Sequence, residues 1–299
     1  MERQTTSLNG VWKLAQYTRS AAEALRATPA VVQLDGLDWM DATVPGAVHL
    51  DLVAAGRMLN PLASVAAARA AAWVSECDWL YRLEFAADET TVTAPSRTLL
   101  LDGVDTFGDI WLNGAYVGST DNAMRFYRLD ISRIALKPTG NELLILVRSH
   151  YPPLAAKADV GERITVGSQP SFGRVRSLIR RYQRQFNTSL LNLGTEVISI
   201  GLYGSVSILA TDSTHVEEHS FAVRRADPKS ADATVAIRLA RPADDTAPVR
   251  IEARLVAPGE PTPAAVAVVE TTSEFAELPI AIGQPRLWWP RGYGDQPLY

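Results

Sequence analysis

Cysteine is nearly missing. Cys77 is the only one in 299 residues, which excludes an internal disulfide and a cysteine-based metal cluster. No stretch reaches the run of about 18 apolar residues that a membrane-spanning helix needs. The Ala-rich run from Val65 to Ala72 is short and broken by Arg69, and reads as a short helix or an ordered loop. Charge of one sign is missing too. Lys and Arg number 29 against 33 Asp and Glu, a net charge of -4. A nucleic-acid partner wants a basic face, so none is expected. Glycine-rich phosphate loops, dinucleotide fingerprints and Gly-x-Ser-x-Gly elbows are all missing. The histidines His49, His150, His215 and His219 are scattered. His215 and His219 sit close but have no third ligand beside them, so neither a metal nor a cofactor is expected. The first residues, Met1 to Thr6, lead into polar sequence rather than an apolar leader. With the single cysteine, this sets the expectation of a cytoplasmic, membrane-free protein.

Long amphipathic helices are scarce, and short strands between turn signals take their place. Leu99 to Leu101 ends at Asp102-Gly103, and Phe126 to Ile131 alternates. Glu142 to Val147 follows Gly140-Asn141. Asn113-Gly114 lies between the apolar runs Ile110–Leu112 and Ala115–Val117. Both residue types tolerate positive φ, so this pair predicts a two-residue hairpin. The spacing predicts an all-β sandwich or jelly roll. Two helices are expected, Ser20 to Arg26 and Ala47 to Gly56, the second stopped by its glycine. A second unit is expected after Asp212. Val216–Arg225, Ala233–Leu239, Val249–Val256, Ala264–Val269 and Phe275–Ile282 read as its strands, with Pro-rich turns between them. That spacing suits an immunoglobulin-like sandwich. The expected domains are therefore residues 1–212 and 213–299.

Candidate chemistry is thin. Asp102, Asp105 and Asp109 cluster at a strand end. Two carboxyls about 5–5.5 Å apart would suit a retaining glycosidase, but Asp-Gly and Asp-Thr pairs also fit turn chemistry, which is the expected role. Cys77 lies between Glu76 and Asp78. Neighbouring negative charge would raise its pKa and make it a poor nucleophile. Arg174, Arg176, Arg180, Arg181 and Arg184 crowd a segment with Tyr182 and Phe186. It reads as a solvated or internally paired basic loop, with a ligand-facing loop as the alternative. The last stretch, with Trp288, Trp289, Pro290 and Tyr293, is unusually aromatic for a terminus. Those three aromatics are expected to pack at a domain joint.

An ordered set of motifs carries a resemblance. Val44-Pro45-Gly46-Ala47-Val48-His49-Leu50-Asp51-Leu52 is followed by Asn60-Pro61, Trp73-Val74 and Asp78-Trp79-Leu80-Tyr81. Asp102-Gly103-Val104-Asp105-Thr106-Phe107, Trp111-Leu112-Asn113-Gly114 and Asp121-Asn122-Ala123-Met124-Arg125-Phe126 come next. The chain closes on Pro285-Arg286-Leu287-Trp288-Trp289-Pro290-Arg291-Gly292-Tyr293-Gly294. Together these resemble the N-terminal domains of β-mannosidases in glycoside hydrolase family 2.

The resemblance implies a galactose-binding-like jelly roll, then an immunoglobulin-like sandwich, then a (β/α)₈ barrel. That barrel carries both catalytic glutamates in the family, and no residue of this chain is carried over as catalytic. The chain alone is expected to be inactive. It implies a β-mannoside-type carbohydrate and a catalytic barrel in cis as partners. Asn122 and Arg125 match a loop that the family turns toward its active site. Asn192 falls in the window Leu190–Thr195, where the family usually carries Trp-Asp-Trp-Gly-Pro; here Trp, Asp and Pro are all replaced. Asn192 is the one residue of that window able to offer a sugar an amide acceptor. His49 and Trp111 are expected as core or interface residues. The alternatives are a free-standing carbohydrate-binding module and a structural interaction module.

Overall fold

The computed structural model describes residues 4–17, 34, 36–149, 197–242 and 245–299. The expected helix at Ser20–Arg26, the arginine-rich segment and Asn192 with its window lie outside the described residues. The chain divides into two compact units, one running to Ala210 and the other from Thr211. Among the described residues no helix is long and apolar enough to cross a membrane.

The first unit holds β1 (Gln4–Ser7), β2 (Gly10–Tyr17), β3 (Met40–Val44), β4 (Asp78–Phe85) and β5 (Ser96–Leu101). β6 (Phe107–Leu112), β7 (Ala115–Thr120), β8 (Tyr127–Asp130), β9 (Asn141–Arg148) and β10 (Val206–Thr211) follow. They form a four-stranded sheet, β1-β10-β5-β8, and a six-stranded sheet, β3-β2-β4-β9-β6-β7. The pairs β1–β10 and β5–β8 of the smaller sheet are antiparallel, and so is every neighbouring pair of the larger one. The period-2 alternation of side chains explains the core. Leu14, Trp79, Tyr81, Ile110, Leu112 and Ile145 share one face of the larger sheet and pack with Leu99 and Leu101 of the smaller one. The other face buries Tyr17, Leu80, Trp111, Leu144 and Leu146 under Leu34, Leu37 and Trp39. β6 is thus buried at every position, so its sequence shows no apolar–polar alternation, and its one charged residue, Asp109, is buried with the rest. Each large apolar side chain of these faces contributes about 1.5–3 kcal/mol by leaving water.

The hairpin between β6 and β7 forms as expected. Asn113 has φ 50° and Gly114 φ 79°, the two positive values of a type I′ turn, and Leu112 pairs with Ala115. The connection from β3 to β4 carries α1 (Val48–Ala54), ended by Gly56 at φ 69°. It also carries α2 (Val65–Ala70), whose Ser64 hydroxyl accepts from Ala67 N at 3.0 Å. A 3₁₀ turn follows at Ala72–Glu76.

The second unit is an immunoglobulin-like sandwich. β11 (His215–Ala226), β12 (Ser230–Ala240), β13 (Val249–Val256), β14 (Pro263–Thr271) and β15 (Phe275–Gly283) build it. One sheet runs β11-β12-β15 and the other β13-β14. β15 alternates strictly, burying Ala276, Leu278, Ile280 and Ile282. Pro279 falls on the opposite face of this edge strand, where its missing N–H is tolerated. Ile237, Leu239 and Ile251 complete the core between the sheets.

Candidate functional site

Asn122 and Arg125 sit on the loop between β7 and β8. The half-exposed look of this loop hides a firm anchor. The Tyr127 hydroxyl accepts from Asp121 N at 2.9 Å and Asn122 N at 2.8 Å, and the Tyr203 hydroxyl donates to Ala123 O. Burial pushes the Tyr127 phenol above its ordinary pKa, so it stays a neutral hydroxyl. The Asn122 side-chain oxygen accepts from Met124 N at 2.9 Å, forming an Asx turn. That leaves the Asn122 NH₂ group as its outward chemistry. The Arg125 guanidinium lies over the Tyr127 ring, 5.5 Å from its centroid. Arg125, Met124 and Phe126 are exposed, so the loop presents one cation beside two apolar side chains.

The carboxylate cluster resolves into separate structural roles. Asp102 is exposed, whereas Asp105 and Asp109 are 1% and 0% accessible. Asp105 accepts from the Thr106 hydroxyl at 2.6 Å and the Ser199 hydroxyl at 2.5 Å. Asp109 forms an ion pair with Arg148 at 2.9 Å, and that guanidinium also lies over Phe107. Side-chain partners, more than the local backbone turn expected for Asp105, hold these groups in the fold.

His49 and Trp111 are buried, as expected of core residues. Burial lowers the His49 pKa, with a backbone contact at Ala71 opposing it. A neutral imidazole in that place is packing, not chemistry. Next to it on α1, Asp51 is 4% accessible. Its Oδ1 accepts from Thr43 N at 2.9 Å, while Oδ2 has no hydrogen-bond partner among the described residues. Burial raises its pKa to about 6 against the pull of that Thr43 bond. The Cys77 thiol is also raised, first by burial, with the charges of Asp78 and Glu76 as smaller causes. Sequence reasoning points in the right direction there and to the wrong leading cause. No group of three or more His, Cys, Asp or Glu that could hold a metal occurs among the described residues.

The C-terminal aromatics are folded but uncovered. Trp289 N donates to Asp295 O at 2.8 Å, Tyr293 N to Pro290 O at 2.9 Å, and the Gln296 amide to Trp289 O at 2.8 Å. A Cβ on Gly294 would come within 2.8 Å of the Trp289 ring, so the turn needs glycine there. Trp288, Trp289 and Tyr293 nevertheless remain 56%, 48% and 81% accessible. The loop is thus held by its own backbone bonds while three large aromatic side chains stay open to solvent.

The fold defines a class of protein: paired β-sandwiches, a jelly roll and an immunoglobulin-like unit. Residues 12–194 match the glycosyl hydrolase 2 galactose-binding domain-like family, more than half of the chain, and the chain belongs to that family. Beta-mannosidase B of Aspergillus terreus is 27% identical over 271 residues, which is 87% of this chain and 30% of that protein. Beta-mannosidase of Rattus norvegicus is 25% identical over 267 residues, with the same shares. The chain therefore spans about 30% of the length of the curated relatives it matches. Among solved structures, a beta-D-mannosidase from Dictyoglomus thermophilum superposes with TM-score 0.69 at 23% identity, covering 98% of this chain and 33% of that one. At that identity the likeness speaks to the fold.

Proposed function

We propose that these residues are the non-catalytic, N-terminal portion of a β-mannosidase-like glycoside hydrolase. One observation carries the reading: β-mannosidases align along 87% of this chain while the chain accounts for only 30% of them. The catalytic step then belongs to a (β/α)₈ barrel in cis, which supplies the two glutamates. Residues 1–212 serve as the jelly-roll, sugar-binding-like domain and residues 213–299 as the spacer that meets the barrel. Trp288, Trp289 and Tyr293 are the contacts at that joint, in keeping with their exposure. Asn122, Arg125 and Asn192 border the sugar, a terminal β-mannoside. A cytoplasmic location goes with this reading, supported by the single cysteine.

A chimera tests it. This chain would replace the corresponding region of a β-mannosidase relative, and hydrolysis of an aryl β-mannoside would be followed. The expected result is a folded chimera that turns over substrate faster than the relative with that region deleted. A folded chimera no faster than the deletion would sink the reading.

A further inference from the structure

On the core-facing side of the larger sheet of the first unit, β2 loses its apolar pattern. Leu14 stands beside Met40 of β3, and Gln16 beside Trp79 of β4. The segment from α1 to the 3₁₀ turn arches over these residues and leaves a cavity of about 430 Å³. Ligand clefts span about 300–1,000 Å³, so one small molecule fits. Trp73 forms one wall, 37% accessible and packed against Trp79 with ring centroids 5.8 Å apart. Met40 and Leu52 supply an aliphatic floor. The rim is polar: Arg57 holds Asp38 through two bonds of 2.7 and 2.9 Å, and the Gln16 amide contacts the Cys77 sulfur at 3.1 Å.

The geometry points to a binding pocket for one neutral hexopyranose, with Trp73 as the platform and the Asp38–Arg57 pair and Gln16 as the hydroxyl-reading rim. The chemistry selects that class. Arg57 and Asp38 neutralise each other, so the rim favours neither an anion nor a cation. Asp38 stays 84% accessible, and a carboxylate has about four acceptor sites, of which Arg57 takes two. The remaining lone pairs are fixed in direction by the fork and suit vicinal hydroxyls. The C–H face of a pyranose carries partial positive charge and stacks on the negative face of an indole. A purely apolar ligand would leave the rim dehydrated and unpaired, which disfavours it.

The inference goes beyond the proposed function, because it gives this chain a sugar site that needs no barrel. The experiment uses the full chain with mannose, glucose, galactose and N-acetylglucosamine, observed by saturation-transfer NMR and titrated to about 50 mM, past the millimolar dissociation constants typical of small ligands. Saturable binding of at least one sugar is expected, weakened about tenfold or more by Trp73→Ala and by Asp38→Asn. Phe221→Ala, on an exposed strand position outside the pocket, should leave it unchanged. Trp73→Ala removes packing against Trp79, so thermal midpoints are measured beside the titrations. Asp38→Asn alters an exposed group and serves as the test that does not endanger the fold. No saturation with any of the four sugars would overturn the inference, as would binding that survives both pocket substitutions. Either failure leaves the chimera experiment, and the reading it tests, untouched.

Discussion

Asp51→Asn is expected to stabilise the first unit at neutral pH and to do nothing at pH 4. The carboxyl is 4% accessible, and burial lifts its pKa from 3.8 to about 6. The native state thus holds the proton more tightly than the unfolded chain does. The sign follows from linkage: the stabilising contribution of the proton is fully present below about pH 4 and is lost as pH rises through about 6. A pKa raised that far favours the protonated form by about 3 kcal/mol, and screening by nearby water reduces this to about 2 kcal/mol. Asparagine keeps the oxygen that accepts from Thr43 N but carries no charge to bury. Urea denaturation at pH 4, 6 and 8, followed by tryptophan fluorescence, measures the effect. The core tryptophans Trp12, Trp79 and Trp111 report on this unit. The difference between wild type and variant should grow from near zero at pH 4 to about 2 kcal/mol at pH 8. A variant equally or less stable than wild type at pH 8 would refute the account of a buried, under-solvated carboxylate.

Other substitutions probe the scaffold. Gly204→Ala places a Cβ 2.3 Å from Gly103 N and 2.4 Å from Asp102 C; backbone cannot swing aside, so a loss of about 2–3 kcal/mol is expected in the same denaturation assay. Asp109→Ala strands the Arg148 guanidinium and should cost about 3 kcal/mol, whereas a change below the error of the measurement would mean the ion pair is not holding β6 to β9. Gly114→Ala forces a side chain into φ 79° and should cost about 1 kcal/mol. The Cys77 thiol, raised by burial, should react with iodoacetamide several-fold more slowly in the native chain than in urea at pH 7.5, and equal rates would contradict its burial.

Much of this architecture is legible in the amino-acid order because strand physics is local. Asn113-Gly114 names its own turn, and β13 at Val249–Val256 falls where its apolar pattern puts it. The alternation of β15 predicts its buried face. Most of the missed features depend on partners distant in sequence; one short helix with a local cap is the exception. α3 (Glu89–Thr93) has a β-branched, helix-poor composition; it forms because Asp88 caps Thr91 N at 2.7 Å. Asp51 looks like an ordinary helical surface residue until α1 docks. Gly46 N donates to Leu202 O and Val48 N to Ile200 O, and these bonds tie the start of the helix to the segment that precedes β10. The cavity of Trp73 is invisible in the sequence for the same reason: its walls come from β2, β3, β4 and the arch between them. The one available signal is the pairing of a polar Gln16 with a Trp on a core-facing row.

The central claim is that these residues serve a glycosidase without performing its chemistry. Incubating the purified chain with an aryl β-mannoside and measuring phenol release tests this most directly. Release no faster than in buffer is the expected result. Turnover that scales with protein concentration and survives repurification would place catalytic carboxylates within this chain and contradict the claim.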